Sequence, residues 1–572
     1  MNNPTELYTL WLDKTKNDPD LQAELAAIAG DAGAIDDRFF RDLAFGTGGL
    51  RGVIGAGTNR MNIYTVARAT QGFAQYLQAS SPSPSVAIAY DSRNKSVDFA
   101  RATAAVMAGN GIQVYLYPEL MPTPMLSFAV RRLGCVGGVV VTASHNPAKY
   151  NGYKAYGPDG CQLNLTASEA VIDIIRSVDT FSGVKQVDFD KAVQSGAIRM
   201  IDDETVEAFL TAVASAAIYP ELLKSTDLSV LYTPLNGAGN KPVRMILSRM
   251  GLKNVAVVAS QERPDGNFPT APYPNPEIRE AFAEALKQAE QQPVDLLLAT
   301  DPDADRVGIA VRTNDGYTLV SGNEVGALLL HYILSGRKRL GTLPARPLCV
   351  KTIVTTDLCC KIAADFGAEL IDVLTGFKFI GEVITGLEQA GEQDRYVFGF
   401  EESYGYLAGT HVRDKDAVVS AMLICEMAAY YKQNGQTLVD ALTALYEQYG
   451  YFVQTQLNFT CEGAEGIARM NEIMSSLRNQ APAAIGGRPV VLVSDYERSQ
   501  ATRLPDGQVT AITLPKSNVL SFALEGGAKL IVRPSGTEPK IKVYISVSES
   551  TDEQSQALAE TLAGEISGTM GF

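Results

Sequence analysis

Short apolar runs alternate with helical patterns along most of the chain. A helical pattern near residues 97–110 separates the first two runs. Strands that alternate with helices in this way form βα units around a largely parallel sheet. The runs that predict strands are VAIAY (86–90), IQVYLY (112–117), VGGVVVT (136–142), LSVLYTPL (228–235), VDLLLATD (294–301) and RYVFGFE (395–401). The pattern therefore predicts an α/β fold.

The two ends of the chain show other patterns. Leu7, Leu10 and Trp11 lie at helical spacing, which predicts helix over about the first 40 residues. Near the C-terminus, the segments AKLIVRPSG (528–536) and IKVYISVSE (541–549) alternate in period two. Such alternation predicts strands with one buried face, and we expect these two strands to pair as a hairpin.

The C-terminal region is expected to form a small α+β domain, distinct from the α/β pattern before it. Thr551 and Gln554 have the spacing of a capping box and predict a helix from about residue 552. A chain of 572 residues is also too long for a single hydrophobic core. Breaks between the pattern blocks give four expected domains: 1–205, 206–315, 316–446 and 447–572.

The charge balance restricts the class of partner. Lys and Arg total 49 against 64 Asp and Glu, which gives a net charge of −15. A field of this sign repels nucleic acid and anionic membranes, so neither is expected as a partner. A small anionic substrate is compatible with it only where basic residues gather locally against the general trend.

Cysteine and histidine usage argues against two kinds of metal or redox site. The seven cysteines form no CxxC pair, and three histidines are too few for a His-rich metal site. The apolar stretch 417–431 contains Glu426 and is too short to span a bilayer. The N-terminus lacks the basic and apolar regions of a signal peptide. These features predict reduced thiols in a cytoplasmic protein.

A candidate nucleophile follows one of the predicted strands. The run 136–142 leads into Ser144, His145 and Pro147, and Pro147 ends regular structure. Open α/β sheets bind ligands at the carboxyl ends of their strands. No GxSxG sequence surrounds Ser144, which disfavours a hydrolase nucleophile. The residues alone leave a catalytic hydroxyl and an ordinary turn as alternatives.

Three carboxylates at alternate positions follow another strand. They belong to Asp301, Asp303 and Asp305, whose mutual repulsion would be costly without a cation. An all-oxygen ligand set suits Mg²⁺ better than Zn²⁺. An EF-hand loop is excluded, because Arg306 and Arg312 stand where that loop needs Gly and Glu. The alternative is a solvated acidic loop.

Two later stretches could bind a phosphorylated sugar. The loop GFEESYG (399–405) offers carboxylates and a hydroxyl to sugar hydroxyls, although exposed loop charges are the alternative. The segment RPSGTEPKIK (533–542) combines a turn of small residues with Arg533. Converging amides and a guanidinium form a phosphate cradle, and an ordinary hairpin turn is the alternative. This segment is the local basic cluster that an anionic substrate would need.

Two further loops of small residues carry one cation each. FGTGGLRG (45–52) contains Arg51, and TGFKFIG (375–381) contains Lys378. The chain has no GxxxxGK[ST] sequence and no GxGxxG after a strand. Kinases of the P-loop type and dinucleotide-dependent enzymes therefore lose support.

Taken together, these stretches resemble the signatures of the α-D-phosphohexomutase superfamily. TASHNP with the downstream NGYK, DPDADR, FEESYG and RPSGTEPKIKVY occur in the superfamily's order, and with the FGTGGLRG loop the stretches span residues 45 to 544. The length, TGFKFIGE and GFEESYGY are similar to the long branch that contains phosphoglucomutases and phosphopentomutases. The resemblance implies three similar mixed α/β domains and an unrelated fourth domain around a central cleft.

The resemblance also implies a role for individual residues. Ser144 resembles the phosphorylated nucleophile, supported by Lys154, His145 and Arg51 as catalytic residues. The implied Mg²⁺ ligands are the Ser144 phosphate, Asp301, Asp303 and Asp305. The implied substrate-binding residues are Arg306, Thr375, Gly376, Lys378, Glu401, Ser403, Lys415, Arg533, Ser535, Gly536 and Thr537. Phe400 departs from the pattern, because many relatives have Gly before the glutamate.

The implied activity is a phosphoryl transfer within one sugar phosphate. Glucose 1-phosphate and glucose 6-phosphate would interconvert through a phosphoserine and glucose 1,6-bisphosphate, which also acts as activator. Mannose, pentose and glucosamine phosphates remain alternative substrates. The partner is expected to be a small sugar phosphate, and the chain a monomer or small homo-oligomer. Two other classes are a phosphosugar-binding protein without catalysis, which Ser144 and Lys154 argue against, and a phosphatase.

Overall fold

The chain divides into two compact units. The computed structural model describes residues 3–46, 48–460, 463–534 and 540–572. The first unit comprises Met1–Gly322 and Phe377–Thr437, and the second comprises Asn323–Gly376 and Leu438–Phe572. Within the described part of the chain, no helix is both long and apolar enough to cross a bilayer.

Three short helices open the first unit, as the sequence predicts. They are α1 (Pro4–Lys14), α2 (Pro19–Ala27) and α3 (Ala32–Phe39). Asn3, Asp18 and Asp31 cap their N-termini through side-chain oxygens, which satisfies otherwise unpaired amides. Trp11 is buried in the small core of this region, whereas Leu10 is 40% exposed. The helical spacing was therefore correct, but Leu10 lies outside the buried face.

A six-stranded sheet follows, and it carries the first candidate loop. Its strands lie in the order β1-β5-β4-β2-β3-β6. Strands β4, β2, β3 and β6 run parallel, while β5 and β1 are antiparallel to their neighbours. The strands are β1 (Gly49–Val53), β2 (Ser85–Tyr90), β3 (Gln113–Leu116), β4 (Gly137–Val141), β5 (Tyr150–Tyr156) and β6 (Ile198–Met200). The accompanying helices are α4 (Ile63–Ser80), α5 (Ser96–Gly109), α6 (Thr123–Arg132), α7 (Leu165–Ser177) and α8 (Phe189–Gln194).

A second sheet of five strands carries the acidic loop. Its order is β11-β10-β9-β7-β8, with β8, β7 and β9 parallel and the β9-β10-β11 ladder antiparallel. The strands are β7 (Ser229–Thr233), β8 (Asn254–Val257), β9 (Leu296–Thr300), β10 (Val307–Thr313) and β11 (Gly316–Val320). The helices are α9 (Asp203–Ala214), α10 (Leu222–Ser225), α11 (Asn240–Arg249), a 3₁₀ turn (Arg279–Phe282) and α12 (Ala283–Gln291).

The region from Gly322 to Tyr449 contributes elements to both units. In the second unit lie α13 (Gly322–Leu340) apart from its first residue, β12 (Leu348–Thr352), α14 (Leu358–Asp365), β13 (Glu369–Val373) and α17 (Leu438–Tyr449), with β12 and β13 parallel. In the first unit lie α15 (Phe377–Gln389), a 3₁₀ turn (Gln393–Arg395), β14 (Tyr396–Glu401), β15 (Gly405–Ala408) and α16 (Ala417–Gln433). Strands β14 and β15 form an antiparallel hairpin that carries the FEESYG loop.

The C-terminal part of the second unit is built on antiparallel strands. Its sheet follows the order β16-β23-β22-β21-β18-β19-β20, and β17 pairs with β18. The elements are β16 (Tyr451–Thr460), α18 (Gly463–Asn479), β17 (Ala484–Ile485), β18 (Arg488–Asp495), β19 (Gln500–Arg503), β20 (Val509–Ala511), β21 (Leu520–Leu524), β22 (Lys529–Pro534), β23 (Lys540–Glu549) and α19 (Asp552–Thr569). The predicted hairpin is confirmed as β22 and β23, from Lys529↔Ser546 to Pro534↔Ile541.

The last helix begins where the sequence predicts. Thr551 is the N-cap of α19, and its hydroxyl accepts a hydrogen bond from the Gln554 amide at 3.3 Å. The Gln554 side chain accepts a hydrogen bond from Ser550 Oγ at 2.7 Å. The cap residue was therefore correct, while the Gln554 side chain bonds to a neighbour that the capping-box pattern does not name.

Candidate active site

Ser144 lies in a tight turn directly after the central strand β4. The turn places Ser144 at φ +54°, a left-handed conformation that costs about 1–3 kcal/mol for a residue other than glycine. Its amide donates a hydrogen bond to Thr142 Oγ1 at 2.8 Å. Its buried hydroxyl donates to Asp301 Oδ2 at 3.0 Å and lies 3.1 Å from His145 Nδ1. The strained turn thus directs the hydroxyl at the acidic loop.

The three aspartates occupy the connection between antiparallel strands β9 and β10. One carboxylate oxygen from each lies within 4.8 Å of the others, and all three side chains are buried. Asp301 Oδ1 accepts hydrogen bonds from the amides of Asp305 and Arg306, both at 3.1 Å. Asp303 Oδ1 and Asp305 Oδ1 are buried without a hydrogen-bond partner. Buried oxygens without partners are costly, and a divalent cation with oxygen ligands would satisfy them.

The electrostatics of the trio differ from one residue to the next. Burial and the charges of Asp303 and Asp305 raise the pKa of Asp301 well above its usual value. Burial also acts to raise the pKa of Asp303, but the charge and hydrogen bond of Lys154, with a bond from Thr123, outweigh it and lower that pKa. Clustered negative charge is therefore only partly neutralised by the protein's own cations.

Two lysines border the trio. Lys154, on β5, lies with Nζ 2.8 Å from Asp303 Oδ2 and 3.2 Å from Asp305 Oδ2. Lys415 Nζ lies 3.3 Å from Asp305 Oδ2 and 3.0 Å from Asp414 Oδ1. Burial acts to lower the pKa of each lysine, but the nearby aspartates outweigh it and raise both values. Both lysines are therefore charged at neutral pH.

His145 has the opposite electrostatics. Burial, followed by the positive charges of Arg306 and Arg51, lowers the pKa of His145 well below its usual value. The imidazole is therefore neutral at neutral pH, and its Nδ1 lies beside the Ser144 hydroxyl at 3.1 Å. Arg51 is on β1, and its Nη1 donates to Asn146 Oδ1 in the same turn at 3.2 Å.

Arg306 and Glu401 stand beside the same group of charges. Arg306 Nη1 donates to Glu277, and its Nε lies 3.9 Å from Asp305 Oδ1. Burial acts to lower the pKa of Arg306, but Glu277, Asp305 and further carboxylates including Glu401 outweigh it and raise that pKa. Glu401 also contributes to raising the pKa of Lys415. Glu401 is buried at the end of β14, and Ser403 is half-buried in the turn to β15.

Phe400, the departure from the family pattern, points away from Glu401. Its ring stacks on Phe398 with centroids 5.5 Å apart and on Tyr406 with centroids 6.0 Å apart. Successive residues of a strand face opposite sides, so Glu401 projects from the other face. The large side chain therefore adds to the core of the hairpin instead of reshaping the side that carries Glu401.

The remaining predicted residues lie on α15 or in the second unit. Lys378, on α15, is buried, which lowers its pKa. In the second unit, Thr375 Oγ1 is buried without a hydrogen-bond partner, and Gly376 has φ +124°. Arg533 is half-buried on β22, opposite Lys542 on β23. Ser535, Gly536 and Thr537 lie outside the described residues.

Several residues around the site were not singled out from the sequence. Thr123 Oγ1 donates to Asp303 Oδ2 at 2.8 Å, and Tyr156 Oη donates to Asp414 Oδ2 at 2.7 Å. Asp91 and Arg93 lie beneath the Ser144 turn. A signal for this last pair was present, because Asp-Ser-Arg follows the predicted strand 86–90 at its carboxyl end.

Family models match the chain in four consecutive segments. They are described as phosphoglucomutase/phosphomannomutase alpha/beta/alpha domain I over residues 42–181, domain II over 207–316, domain III over 321–449 and the C-terminal domain over 490–564. The four models confirm the predicted fold class of three α/β domains followed by a different C-terminal domain.

Individual relatives cover nearly the whole chain. A phosphoglucomutase of Staphylococcus aureus (strain USA300) is 38% identical over 511 residues, covering 89% of this chain and 90% of the relative. A phosphoglucomutase of Staphylococcus saprophyticus is 37% identical over 516 residues, covering 90% of this chain and 92% of the relative.

Solved structures share the fold at low identity. A phosphoglucomutase/phosphomannomutase family protein from Burkholderia thailandensis has a TM-score of 0.67 at 17% identity, covering 92% of this chain and 97% of its own. Parafusin, the exocytosis-sensitive phosphoprotein pp63 (phosphoglucomutase) of Paramecium, has a TM-score of 0.66 at 18% identity, covering 92% of this chain and 94% of its own. With four family models in order and relatives above a third identical, the chain belongs to the phosphoglucomutase/phosphomannomutase family of phosphosugar mutases.

Proposed function

We propose that the chain interconverts glucose 1-phosphate and glucose 6-phosphate through a phosphorylated Ser144 and a glucose 1,6-bisphosphate intermediate. One observation carries the proposal: the Ser144 hydroxyl lies 3.0 Å from Asp301, within a group of three buried carboxylates. A nucleophile beside an acidic cation site is the arrangement that phosphoryl transfer requires. The curated relatives named phosphoglucomutase support glucose over mannose or pentose phosphates.

The acidic trio fits Mg²⁺ as the cofactor. The two carboxylate oxygens without hydrogen-bond partners, on Asp303 and Asp305, are hard oxygen ligands in a buried place. Asp301, Asp303, Asp305 and an oxygen of the Ser144 phosphate would hold the ion. When bound, the ion would neutralise the charge on the transferring phosphoryl group.

The chain's own residues would then move the proton. The sugar hydroxyl attacks phosphorus, a new P–O bond forms, and the bond from phosphorus to Ser144 Oγ breaks. Lys154, held charged by Asp303 and Asp305, donates a proton to Ser144 Oγ, the leaving oxygen. The resulting free amine then accepts the proton that the attacking sugar hydroxyl loses. Such acid–base catalysis contributes about 10²–10⁴-fold to the rate. Neutral His145, 3.1 Å from Oγ, supports this exchange.

The bisphosphate must then present its other phosphate to Ser144. We assign the sugar hydroxyls to Glu401 and Ser403, and the phosphate that is not transferred to Arg533 with Ser535, Gly536 and Thr537. Arg306, Thr375, Gly376, Lys378 and Lys415 are proposed as further substrate contacts, and Arg51 as an additional positive charge beside the Ser144 turn. The division into domains 1–205, 206–315, 316–446 and 447–572 also remains a proposal.

The net charge and the cysteines support a proposal for the partner and the compartment of the enzyme. The net charge of −15 disfavours nucleic acid and anionic membrane. The six described cysteines are free, as expected in a reducing compartment. We propose a cytoplasmic monomer or small homo-oligomer that acts on a small sugar phosphate.

A coupled assay over four sugar phosphates tests the function. With Mg²⁺ and catalytic bisphosphate, kcat/KM for glucose 1-phosphate is expected to exceed that for the mannose, ribose and glucosamine 1-phosphates by about 10-fold or more. Free phosphate is measured in parallel, and its release without isomerised sugar would identify a phosphatase instead. Excess chelator is expected to stop the reaction, and undiminished activity would contradict the Mg²⁺ site.

Arg533→Ala is expected to raise KM for the substrate strongly and to change the stability of the fold little. Loss of one charge-assisted phosphate contact costs about 1.5–3 kcal/mol, which raises KM about 10–100-fold. Arg503→Ala is the matched control, because Arg503 lies in the same C-terminal part, half-exposed, and pairs with Asp506. Steady-state kinetics and thermal unfolding of both variants check the prediction. An unchanged KM in Arg533→Ala would contradict the clamp.

A further inference from the structure

Arg93 is a buried cation directly beneath the Ser144 turn. Its side chain is fully buried at the end of β2. Nη1 donates to the carbonyls of Pro147 and Tyr150, both at 3.1 Å. Nη2 donates to the carbonyls of Ser144 and Asn146. One guanidinium therefore joins four carbonyls of the segment that begins at the nucleophile.

Asp91 acts on the amide side of Ser144, whose carbonyl accepts from Arg93. Its Oδ2 lies 3.3 Å from Arg93 Nε and accepts a hydrogen bond from Thr142 Oγ1 at 2.6 Å. Thr142 Oγ1 in turn accepts from the Ser144 amide at 2.8 Å. Both the N–H and the C=O of Ser144 are thus fixed by one buried ion pair, Asp91–Arg93, at the strained φ of +54°.

A segment of the second matched domain closes over the guanidinium. The Phe268 ring lies 5.0 Å from Arg93 Cζ, and Asn94 Nδ2 donates to Asn267 Oδ1 at 2.9 Å. A Cβ at Gly266 would lie 2.3 Å from the Asn94 amide nitrogen, so only glycine permits this approach. Arg93 is therefore enclosed on both sides by polypeptide.

The donor inventory of Arg93 excludes a direct role in binding substrate. A guanidinium has five N–H donors, of which four belong to the two Nη atoms. All four Nη protons bond to main-chain carbonyls, and Nε faces Asp91. Nε makes no hydrogen bond, but it is buried and lies 3.3 Å from Asp91 Oδ2, so it is not accessible to a phosphate oxygen. The hydrogen bonds of Arg93 therefore act on the reaction through the geometry of the Ser144 turn.

We propose that the Asp91–Arg93 pair is a positioning device for phosphoryl transfer, which holds Ser144 in the left-handed turn that aims Oγ at Asp301. The inference rests on the proposed function, because it concerns the reactivity of Ser144. A misplacement of about 1 Å at a reacting group costs about 10²-fold in rate. Loosening the turn should therefore lower kcat while the residues that contact the sugar phosphate, and hence KM, stay in place.

Thr142→Val tests the proposal with a minimal change. It removes the hydroxyl that links Asp91 to the Ser144 amide and keeps the shape of the side chain. The matched control is Ser96→Ala, which removes the other hydroxyl on Asp91, at 2.8 Å from Oδ1; Ser96 Oγ accepts a hydrogen bond from Asn151 Nδ2 at 3.0 Å and not from the Ser144 amide. Both residues are buried. Arg93→Lys is the second variant, because lysine keeps the charge but has at most three donors.

The readouts separate positioning from folding. We expect Thr142→Val to lower kcat about 10²-fold and to slow the appearance of Ser144 phosphate from glucose 1,6-bisphosphate, followed by intact mass, in proportion. KM for glucose 1-phosphate and the activity of Ser96→Ala are expected to stay near wild type. Arg93→Lys should lose at least as much kcat, and if it does not fold, Thr142→Val alone decides.

Three outcomes would overturn the inference while leaving the proposed function intact. In the first, Thr142→Val has wild-type kcat per folded molecule. In the second, Ser96→Ala loses as much kcat as Thr142→Val. In the third, KM rises and kcat is unchanged. Wild-type protein without mutase activity or Ser144 phosphate would instead remove the proposed function itself, so the two failures are distinguishable.

Discussion

Ser144→Ala is expected to abolish turnover, lowering kcat by about 10⁶-fold, the scale reached when a covalent nucleophile is removed. Phosphate cannot be stored on alanine, and the hydroxyl that faces Asp301 at 3.0 Å has no neighbouring serine to replace it within this turn. Binding of sugar phosphate should persist, because the proposed substrate contacts are unchanged. A coupled assay, isothermal titration with glucose 1-phosphate and peptide mapping of phosphate measure these three quantities.

Ser92→Ala provides the control for this substitution. Ser92 is the neighbour of Arg93, which binds the Ser144 carbonyl, and its buried hydroxyl has no hydrogen-bond partner. We expect this variant to keep wild-type kcat and the phosphate on Ser144. Substantial turnover by Ser144→Ala, or phosphate mapped to another residue of the active wild-type enzyme, would remove the nucleophile assignment.

Asp301→Asn is expected to separate activity from stability. The pKa of Asp301 is raised well above its usual value by burial and by two neighbouring carboxylates, so its charge is unfavourable without a cation. An amide can accept from the Asp305 and Arg306 amides and donate to Ser144 Oγ, so the metal-free variant should be at least as stable as wild type. Its kcat should fall at least about 10³-fold, because several kcal/mol of charge stabilisation are lost.

Thermal unfolding with and without Mg²⁺ provides a readout apart from activity. At a Mg²⁺ concentration of about 100 times Kd, wild-type protein gains about 2.7 kcal/mol of stability. Asp301→Asn should lose most of that gain, whereas Asp315→Asn, an exposed change in the β10–β11 turn, should keep it. An equal Mg²⁺-dependent shift in Tm for Asp301→Asn would show that the trio is not the cation site.

Features that depend on local sequence could be predicted. Apolar runs followed by polar residues identified the strands, and with them the positions of Ser144 and the aspartate trio at strand ends. Residues brought together from distant parts of the chain could not be found in this way. Ser144 and Asp301 are 157 positions apart, and Tyr156 and Asp414 are 258 apart. Only the fold shows that Asp91 and Arg93 fix the Ser144 turn.

Side-chain orientation was the other limit. Helical spacing placed Leu10 and Trp11 in one helix, yet of these two only Trp11 is buried, because Leu10 lies outside the face of α1 that packs against this core. Phe400 looked like a change in the sugar loop, but strand alternation turns its ring toward Phe398 and Tyr406. In both cases the sequence gives the residue type, but the orientation of the side chain depends on the residues that it packs against in the fold.

The contact of Phe268 with Arg93 and the Asn94–Asn267 hydrogen bond have a consequence for recombination between relatives. A hybrid protein that joins the N-terminal part of one mutase to the middle part of another would combine residues 91–94 with a 264–268 segment from a different parent. Hybrids should be productive when both segments come from one parent. An active Ser144 turn therefore requires matching residues from the second matched domain as well as from the domain that carries the serine.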